Sequence, residues 1–137
     1  MFLIPSVLIL EVATRERTQL LDITGDVARL VAGRSVVEGI CHLYVPHTTA
    51  ALTINENADP TVGSDILTKL NKLIPFQDAY HHAEGNSAAH IKSTLVGVNQ
   101  AVFISGGRLM LGVWQGIYFC EFDGPRHRKV LVKIMPG

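Results

Sequence analysis

The chain has 137 residues, 47% of them hydrophobic, and its twelve lysines and arginines balance twelve aspartates and glutamates. That size and composition fit one folded domain, residues 1–137, with a single hydrophobic core, and exclude a disordered chain. A neutral chain without a basic stripe lacks the electrostatic footprint of a nucleic-acid binder, and no polybasic segment is present to hold an anionic membrane.

The apolar opening, residues 1–10, is interrupted by Pro5 and falls well short of the ~20 residues of a spanning helix. It has no positively charged start and no small-residue cleavage pattern, so it reads as a strand rather than a leader. Residues 6–14 carry Val7, Leu8, Ile9, Leu10 and Val12, a buried strand. Residues 19–23 predict a short second strand. Thr24 then offers a helix N-cap, Val27, Leu30 and Val31 give helical spacing, and Gly33 supplies a stop. Residues 39–45 mix β-branched and aromatic side chains and predict a strand. Residues 50–54 predict another, with 46–49 as the connection.

Asp59 followed by Pro60 marks the clearest helix start, a good cap before a good first residue. Ile66, Leu67, Leu70, Leu73 and Ile74 form an apolar stripe at helical spacing, and Pro75 ends it. Residues 76–85 are a polar loop. Asn86 or Ser87 caps a third helix, with Ala88, Ile91 and Leu95 as its expected buried stripe. Strands follow at 101–105, 108–111, 116–122 and 129–135, the first two joined by a Gly106-Gly107 turn. The pattern predicts an α+β fold: a β-rich two-layer sandwich, mostly antiparallel, with about three helices. Cys41 and Cys120 lie in apolar strands and read as buried free thiols of a cytoplasmic protein, with a disulfide between them as the alternative.

The chemistry concentrates between Pro46 and His90. His47 sits at a strand end, His82 in a loop, and His90 in the first turn of the third helix. Three such histidines can converge, and neutral imidazole is the commonest metal ligand. Glu84, Glu56 or Asp123 would then act as base or orient a ligand. The spacing is neither His-Glu-x-x-His nor a Cys-x-x-Cys pair. Plainer readings stand beside this one. Asp59 is a helix cap, and Asn55, Glu56 and Asn57 make an ordinary polar turn. His42 is a packed or interface residue in a strand, and His81 and His127 are solvated. Trp114 is either core or, with Gln115, part of the site. Glu121 lies between Cys120 and Phe122 in an apolar strand and needs a partner, for which Arg126 is the natural candidate. The helix opening at Asn86 and Ser87 presents free backbone N–H groups, where an anion would dock with help from Lys92 and Arg126.

Five blocks carry a resemblance across nearly the whole chain: His47-Thr48-Thr49-Ala50; residues 55–60; residues 82–87 with His90; Gly112-Val113-Trp114-Gln115-Gly116-Ile117-Tyr118; and residues 121–126. In this order they resemble the YjbQ-like family, a widespread group of small proteins associated with a secondary thiamine-phosphate synthase activity. The resemblance implies a compact β-rich fold, a homotrimer, and a pocket lined by His47, His82 and His90. Two departures are visible: Val113 stands where the family usually has threonine, and His81 precedes His82.

The expected function is therefore a small metal-dependent enzyme acting on a small anionic or phosphorylated ligand, with thiamine-phosphate synthesis as one activity. Its metal ligands would be His47, His82 and His90, and Asn57, Asn86, Ser87, Gln115, Glu121 and Arg126 would hold the substrate. The metal is a divalent ion: three histidines suit zinc, whereas a diphosphate substrate calls for magnesium. The competing expectation is a non-catalytic trimeric module that binds a metal or small ligand.

Overall fold

The computed structural model describes residues 6–137, so the part of the expected N-terminal strand at residues 1–5 lies outside the described residues. The elements are β1 (Leu8–Ala13), β2 (Gln19–Asp22), α1 (Thr24–Arg34), β3 (Gly39–Tyr44), β4 (Ala50–Glu56), α2 (Pro60–Leu73), α3 (Ser87–Val96), β5 (Asn99–Ser105), β6 (Arg108–Leu109), β7 (Gln115–Glu121) and β8 (His127–Pro136). They form a five-stranded sheet, β1-β8-β3-β5-β6, and a three-stranded sheet, β2-β7-β4. Every strand pair is antiparallel. The α+β sandwich read from the sequence is the fold observed.

Period-two alternation explains the layering. In β3 Cys41 and Leu43 face inward, and in β8 Val130 and Val132 do. They meet Ala50 and Leu52 of β4 and Ile117 and Phe119 of β7 in the core between the sheets, which α1 completes with Val27 and Val31. The opposite face of the small sheet presents Ala51 and Cys120, which pack with Phe122, Ala89 of α3, and Leu67 and Leu70 of α2. Cys41 and Cys120 thus belong to different layers, and both are free thiols. Burial pushes them up to about 11 and about 12, which makes them inert at neutral pH. No helix among the described residues is long and apolar enough to cross a membrane.

Helix ends show where local signals hold. Asp59 caps α2 as expected, its carboxylate accepting from the Thr61 N–H at 2.9 Å, with Pro60 in the first turn. Thr24 does not cap α1. Ile23 occupies that position, and the Thr24 hydroxyl instead donates to Asp22 and accepts from the Ile117 N–H, tying the helix start to β7. Nor does α1 stop at Gly33. It runs one residue further, and Ser35 makes the left-handed turn at φ 53°.

The buried face of α3 differs from the expected one. Ala88, Ala89, Lys92 and Ser93 are buried, while Ile91 and Leu95 are exposed. Small side chains at Ala89 and Ser93 let the helix approach β4, where the Ser93 hydroxyl donates to the Ala50 carbonyl at 3.1 Å. α2 is also less buried than its stripe suggests: Leu67 and Leu70 pack inward, but Leu73 is 65% exposed.

Lys92 is the unusual member of this interface. Its side chain is fully buried, its ammonium donates to the Asn71 side chain, and it lies 4.2 Å from the Phe76 ring centroid. Arg17 lies 3.6 Å from the same centroid. Burial, and then the charge of Arg17, push Lys92 down to about 8. Lys92 therefore faces away from the Asn86 helix end and contributes no charge to an anion there. Because the folded chain releases this proton earlier than the unfolded chain, stability rises with pH above about 8, until the unfolded lysine also titrates. Denaturant titrations from pH 7 to 10 are expected to show a gain on the order of 2 kcal/mol that Lys92→Met lacks.

Candidate functional site

Three connections and one helix end converge at the edge of the sandwich. Residues 46–49, joining β3 to β4, bring His47, Thr48 and Thr49. The connection between α2 and α3 brings His82 and Glu84, and the start of α3 brings Asn86 and His90. The connection from β7 to β8 brings Asp123 and Arg126, with Arg128 just inside β8. Together they line an open pocket of about 490 Å³, a volume within the usual range for small-molecule sites.

The floor is a buried ion pair. Glu121, which follows the inward parity of Ile117 and Phe119, has no exposed surface. Arg128, which follows the inward parity of Val130 and Val132, meets it from the other sheet: Arg128 Nε donates to Glu121 Oε1 at 2.9 Å, and its Nη2 donates to Oε2. The same carboxylate accepts from the Thr14 hydroxyl at 2.7 Å and the Asp123 N–H at 3.0 Å. Arg128 also donates to the Thr49 hydroxyl at 2.9 Å. Burial alone would raise the Glu121 carboxyl, but the hydrogen bonds from Arg128, Thr14 and the Asp123 N–H hold it below its ordinary value. Arg126, the partner expected for Glu121, pairs instead with Asp123 at 3.0 Å.

The rim is less constrained. Asn86 Nδ2 donates to Asp123 Oδ2 at 2.9 Å, while Asn86 Oδ1 is buried with no hydrogen-bond partner. His82 and His90 stand edge to face, ring centroids 5.5 Å apart at 87°. Glu84 is 3.9 Å from His82 Nε2. His47 Nε2 accepts from the Lys129 N–H at 2.9 Å, which places the ring proton on Nδ1. Burial, then the nearby Arg128, lower the pKa of His47 against the opposing pull of Glu121. His47 is thus a neutral N–H donor.

This arrangement does not assemble the expected set of three histidine ligands. Among the described residues no group of three or more histidine, cysteine or carboxylate side chains is placed to share one ion. His47 Nε2 is moreover already occupied, accepting from the Lys129 backbone N–H.

Other expected residues lie elsewhere. Glu56 pairs with Gln115, whereas Ala50 pairs with Glu121; six residue steps put Glu56 about 20 Å from the pocket along the strand. Asn57 donates to Asp22 at 3.2 Å and packs against Gly116, where an added Cβ would fall 2.4 Å from Asn57 Nδ2. Gln115 closes a turn by accepting from the Gly112 N–H at 2.8 Å. Glu56, Asn57 and Gln115 therefore lie outside this pocket. Ser87 lies in a shallow hollow behind His82 and His90 rather than in the main pocket. Trp114 is 61% exposed and belongs to no core. His42, His81 and His127 are exposed.

The fold and site define a compact sandwich with one histidine-rich polar pocket at its edge. The family model described as "UPF0047 protein YjbQ-like" matches residues 9–137, and the chain belongs to this family. It is 51% identical to UPF0047 protein MJ1081 of Methanocaldococcus jannaschii over 125 residues, covering 91% of each chain. It is 47% identical to UPF0047 protein YugU of Bacillus subtilis, covering 92% of this chain and 96% of that one. A crystal structure of an uncharacterized conserved protein of the family from Clostridium acetobutylicum superimposes with a TM-score of 0.91 at 51% identity, covering 93% of this chain and 99% of that one. A YbjQ-like protein of unknown function from Sulfolobus solfataricus gives the same TM-score at 32% identity, covering 96% of each chain.

The buried pair yields a direct expectation. Glu121→Gln or Arg128→Met alone should cost about 3–5 kcal/mol by denaturant titration, because each leaves an uncompensated buried group. The double change Glu121→Leu, Arg128→Met should recover most of that loss. The lowered pKa of His47 adds a second: its NMR titration midpoint should lie below 6.5, so the stability linked to it is full above pH 6.5 and lost as pH falls toward that midpoint.

Proposed function

We propose that this pocket binds a small phosphorylated or otherwise anionic ligand together with a divalent ion, and that the protein is an enzyme acting on that ligand. The observation that carries the reading is a charge balance. Arg126 is committed to Asp123 and Arg128 to Glu121, with Glu84 beyond them. Two guanidinium groups face three carboxylates, so an anion in this pocket requires a further cation. His82, His90 and Asn86 Oδ1 form the place for one: two imidazoles at 5.5 Å and a buried acceptor without a donor. Imidazole favours zinc, whereas a phosphate oxygen shared with the site would admit magnesium. When bound, such an ion would neutralise phosphate charge and polarise its oxygens.

The chain's own residues then have distinct tasks. His47 presents Nδ1–H as a fixed donor, and Arg126, held by Asp123, lies on the rim for an anionic oxygen. Glu84, beside His82, is the acid or base. Transfer of a diphosphate-activated group, as in thiamine-phosphate synthesis, belongs to this class, but its diphosphate leaving group needs more positive charge than the two committed arginines supply. The substrate class we propose is therefore the wider one of small phosphorylated molecules, in a reducing cytoplasm that suits two buried free thiols.

Self-association as a homotrimer is supported by the outer face of the large sheet, where half-buried Ile40 pairs with both exposed Phe103 and exposed Met135 in an apolar row. Light scattering should return three chains per particle, and Phe103→Glu should reduce that mass.

Elemental analysis of protein purified without chelators should find about one zinc or magnesium per chain. Inorganic phosphate titrated calorimetrically with that ion present should bind, and Arg126→Ala should weaken it about tenfold. Unaltered phosphate affinity in a His82→Ala, His90→Ala double variant would overturn the ion's place. A wild-type turnover lost in Glu84→Gln supports the enzyme; binding without turnover of any phosphorylated compound would leave the non-catalytic trimeric module.

A further inference from the structure

The pocket does not end at its histidines. A second cavity of about 360 Å³ adjoins it, and His47, Thr48 and His90 line both. The two imidazoles and the threonine therefore form the partition between neighbouring lobes. Resting on the reading of the first lobe as an anion site, we infer that the ligand is bipartite: a phosphorylated head in the first lobe joined across His47 and His90 to an uncharged ring seated in the second.

The lobes differ sharply in chemistry. Each of the four charged residues at the site's surface, Glu84, Asp123, Arg126 and Arg128, lines the first lobe, and none lines the second. Beyond the shared partition, the second lobe is built from Tyr44, Val45, Ser93, Thr94 and Val98. Its two aliphatic hydroxyls are already spent as donors: Ser93 donates to the Ala50 carbonyl at 3.1 Å and Thr94 to the His90 carbonyl at 2.9 Å. They retain only acceptor capacity. A charged group would find no counter-ion there, whereas an aromatic or heteroaromatic ring would find the half-exposed face of Tyr44 and the Val98 methyls. A ring with an N–H or O–H at its edge would also satisfy the hydroxyl oxygens.

The partition fixes how the two parts connect. A ligand spanning both lobes must pass over His47 and His90. His47 is held there by the Lys129 N–H, and its remaining proton is on Nδ1. The linkage between head and ring therefore lies beside a donor whose orientation the backbone sets. A bare phosphate fills only the first lobe and leaves the second to water.

The test is a ligand series of constant charge and growing size: inorganic phosphate, methyl phosphate and phenyl phosphate, titrated calorimetrically on the full chain with the divalent ion present. Phenyl phosphate is expected to bind about tenfold more tightly than methyl phosphate, from the apolar area it alone buries. Thr94→Trp, an exposed helix position whose new side chain would fill the second lobe, should abolish that preference. Tyr44→Ala should reduce it several-fold without placing bulk anywhere, which keeps the inference testable should Thr94→Trp fold poorly. Equal affinity for methyl and phenyl phosphate in the wild type overturns the second lobe while leaving the anion site standing. A preference that survives both variants overturns it too. Failure of all three compounds to bind overturns the anion reading itself.

Discussion

The Glu121–Arg128 pair is the interaction on which the site depends, because it joins the two sheets where their strands open into the pocket. A carboxylate and a guanidinium removed from water lose hydration worth several kcal/mol each, so such a pair persists only when its remaining hydrogen-bonding capacity is filled. Here it is filled from four directions: Thr14 just after the strand beside β8, Thr49 from the β3–β4 connection, the Asp123 N–H from the β7–β8 connection, and the two charges themselves. Thr49, Asp123 and Arg128 belong to segments that also supply other pocket residues or their neighbours. Thr49 fixes the chain two residues after His47. The Asp123 N–H fixes the residue whose carboxylate holds both Asn86 and Arg126. Arg128 precedes the residue whose N–H orients His47.

The connection that follows Glu121 is correspondingly tight. Gly124 lies so close to the Glu16 carbonyl and the Glu121 side chain that an added Cβ would fall 2.3 Å and 2.7 Å from them. Its N–H donates to the Arg17 carbonyl at 3.0 Å, and the Arg126 N–H donates to the Thr14 hydroxyl at 2.9 Å. Backbone approach of this kind holds the rim without bulky side chains and leaves the pocket open. By contrast, the side carrying His82 and Glu84 is a mostly exposed loop whose ion pair is long. The site therefore has one half tied to the sheets by hydrogen bonds and another carried by the exposed loop before α3.

The sheets were legible in the sequence because alternation and β-branched runs report one buried face directly. The Asp59-Pro60 start was legible because capping is a local event. What the sequence does not show depends on tertiary contacts. The largest apolar residues of α3, Ile91 and Leu95, point to one face, yet the helix turns Ala89 and Ser93 inward, and Lys92 is accommodated by Asn71 and the Phe76 ring. Arg126 is the nearer cation in the chain, yet Glu121 pairs with Arg128. The parity of β8 was the available signal, since Arg128 shares the inward face of Val130 and Val132. Glu56, Asn57 and Gln115 sit in motif blocks beside true pocket residues in sequence order. A seven-residue strand carries them to the far end of the small sheet, where Asn57 and Gln115 shape turns.

His47 illustrates how far a motif can be read before hydrogen bonding decides its chemistry. Residue type and position at a strand end suit a metal ligand and a proton donor equally. The backbone N–H of Lys129 separates the two, because an imidazole that accepts at Nε2 keeps its proton at Nδ1 and has no second lone pair for an ion. Burial and the adjacent Arg128 reinforce the neutral form that this bond requires. The same geometry places His47 on the partition between the charged and uncharged lobes, with His90 opposite. Among the described residues, His82 and His90 make no such bond to the backbone: they stand edge to face on the rim beside Asn86, whose side-chain oxygen is unpartnered. Of three histidines expected as one ligand set, His47 is thus set apart by a single backbone hydrogen bond.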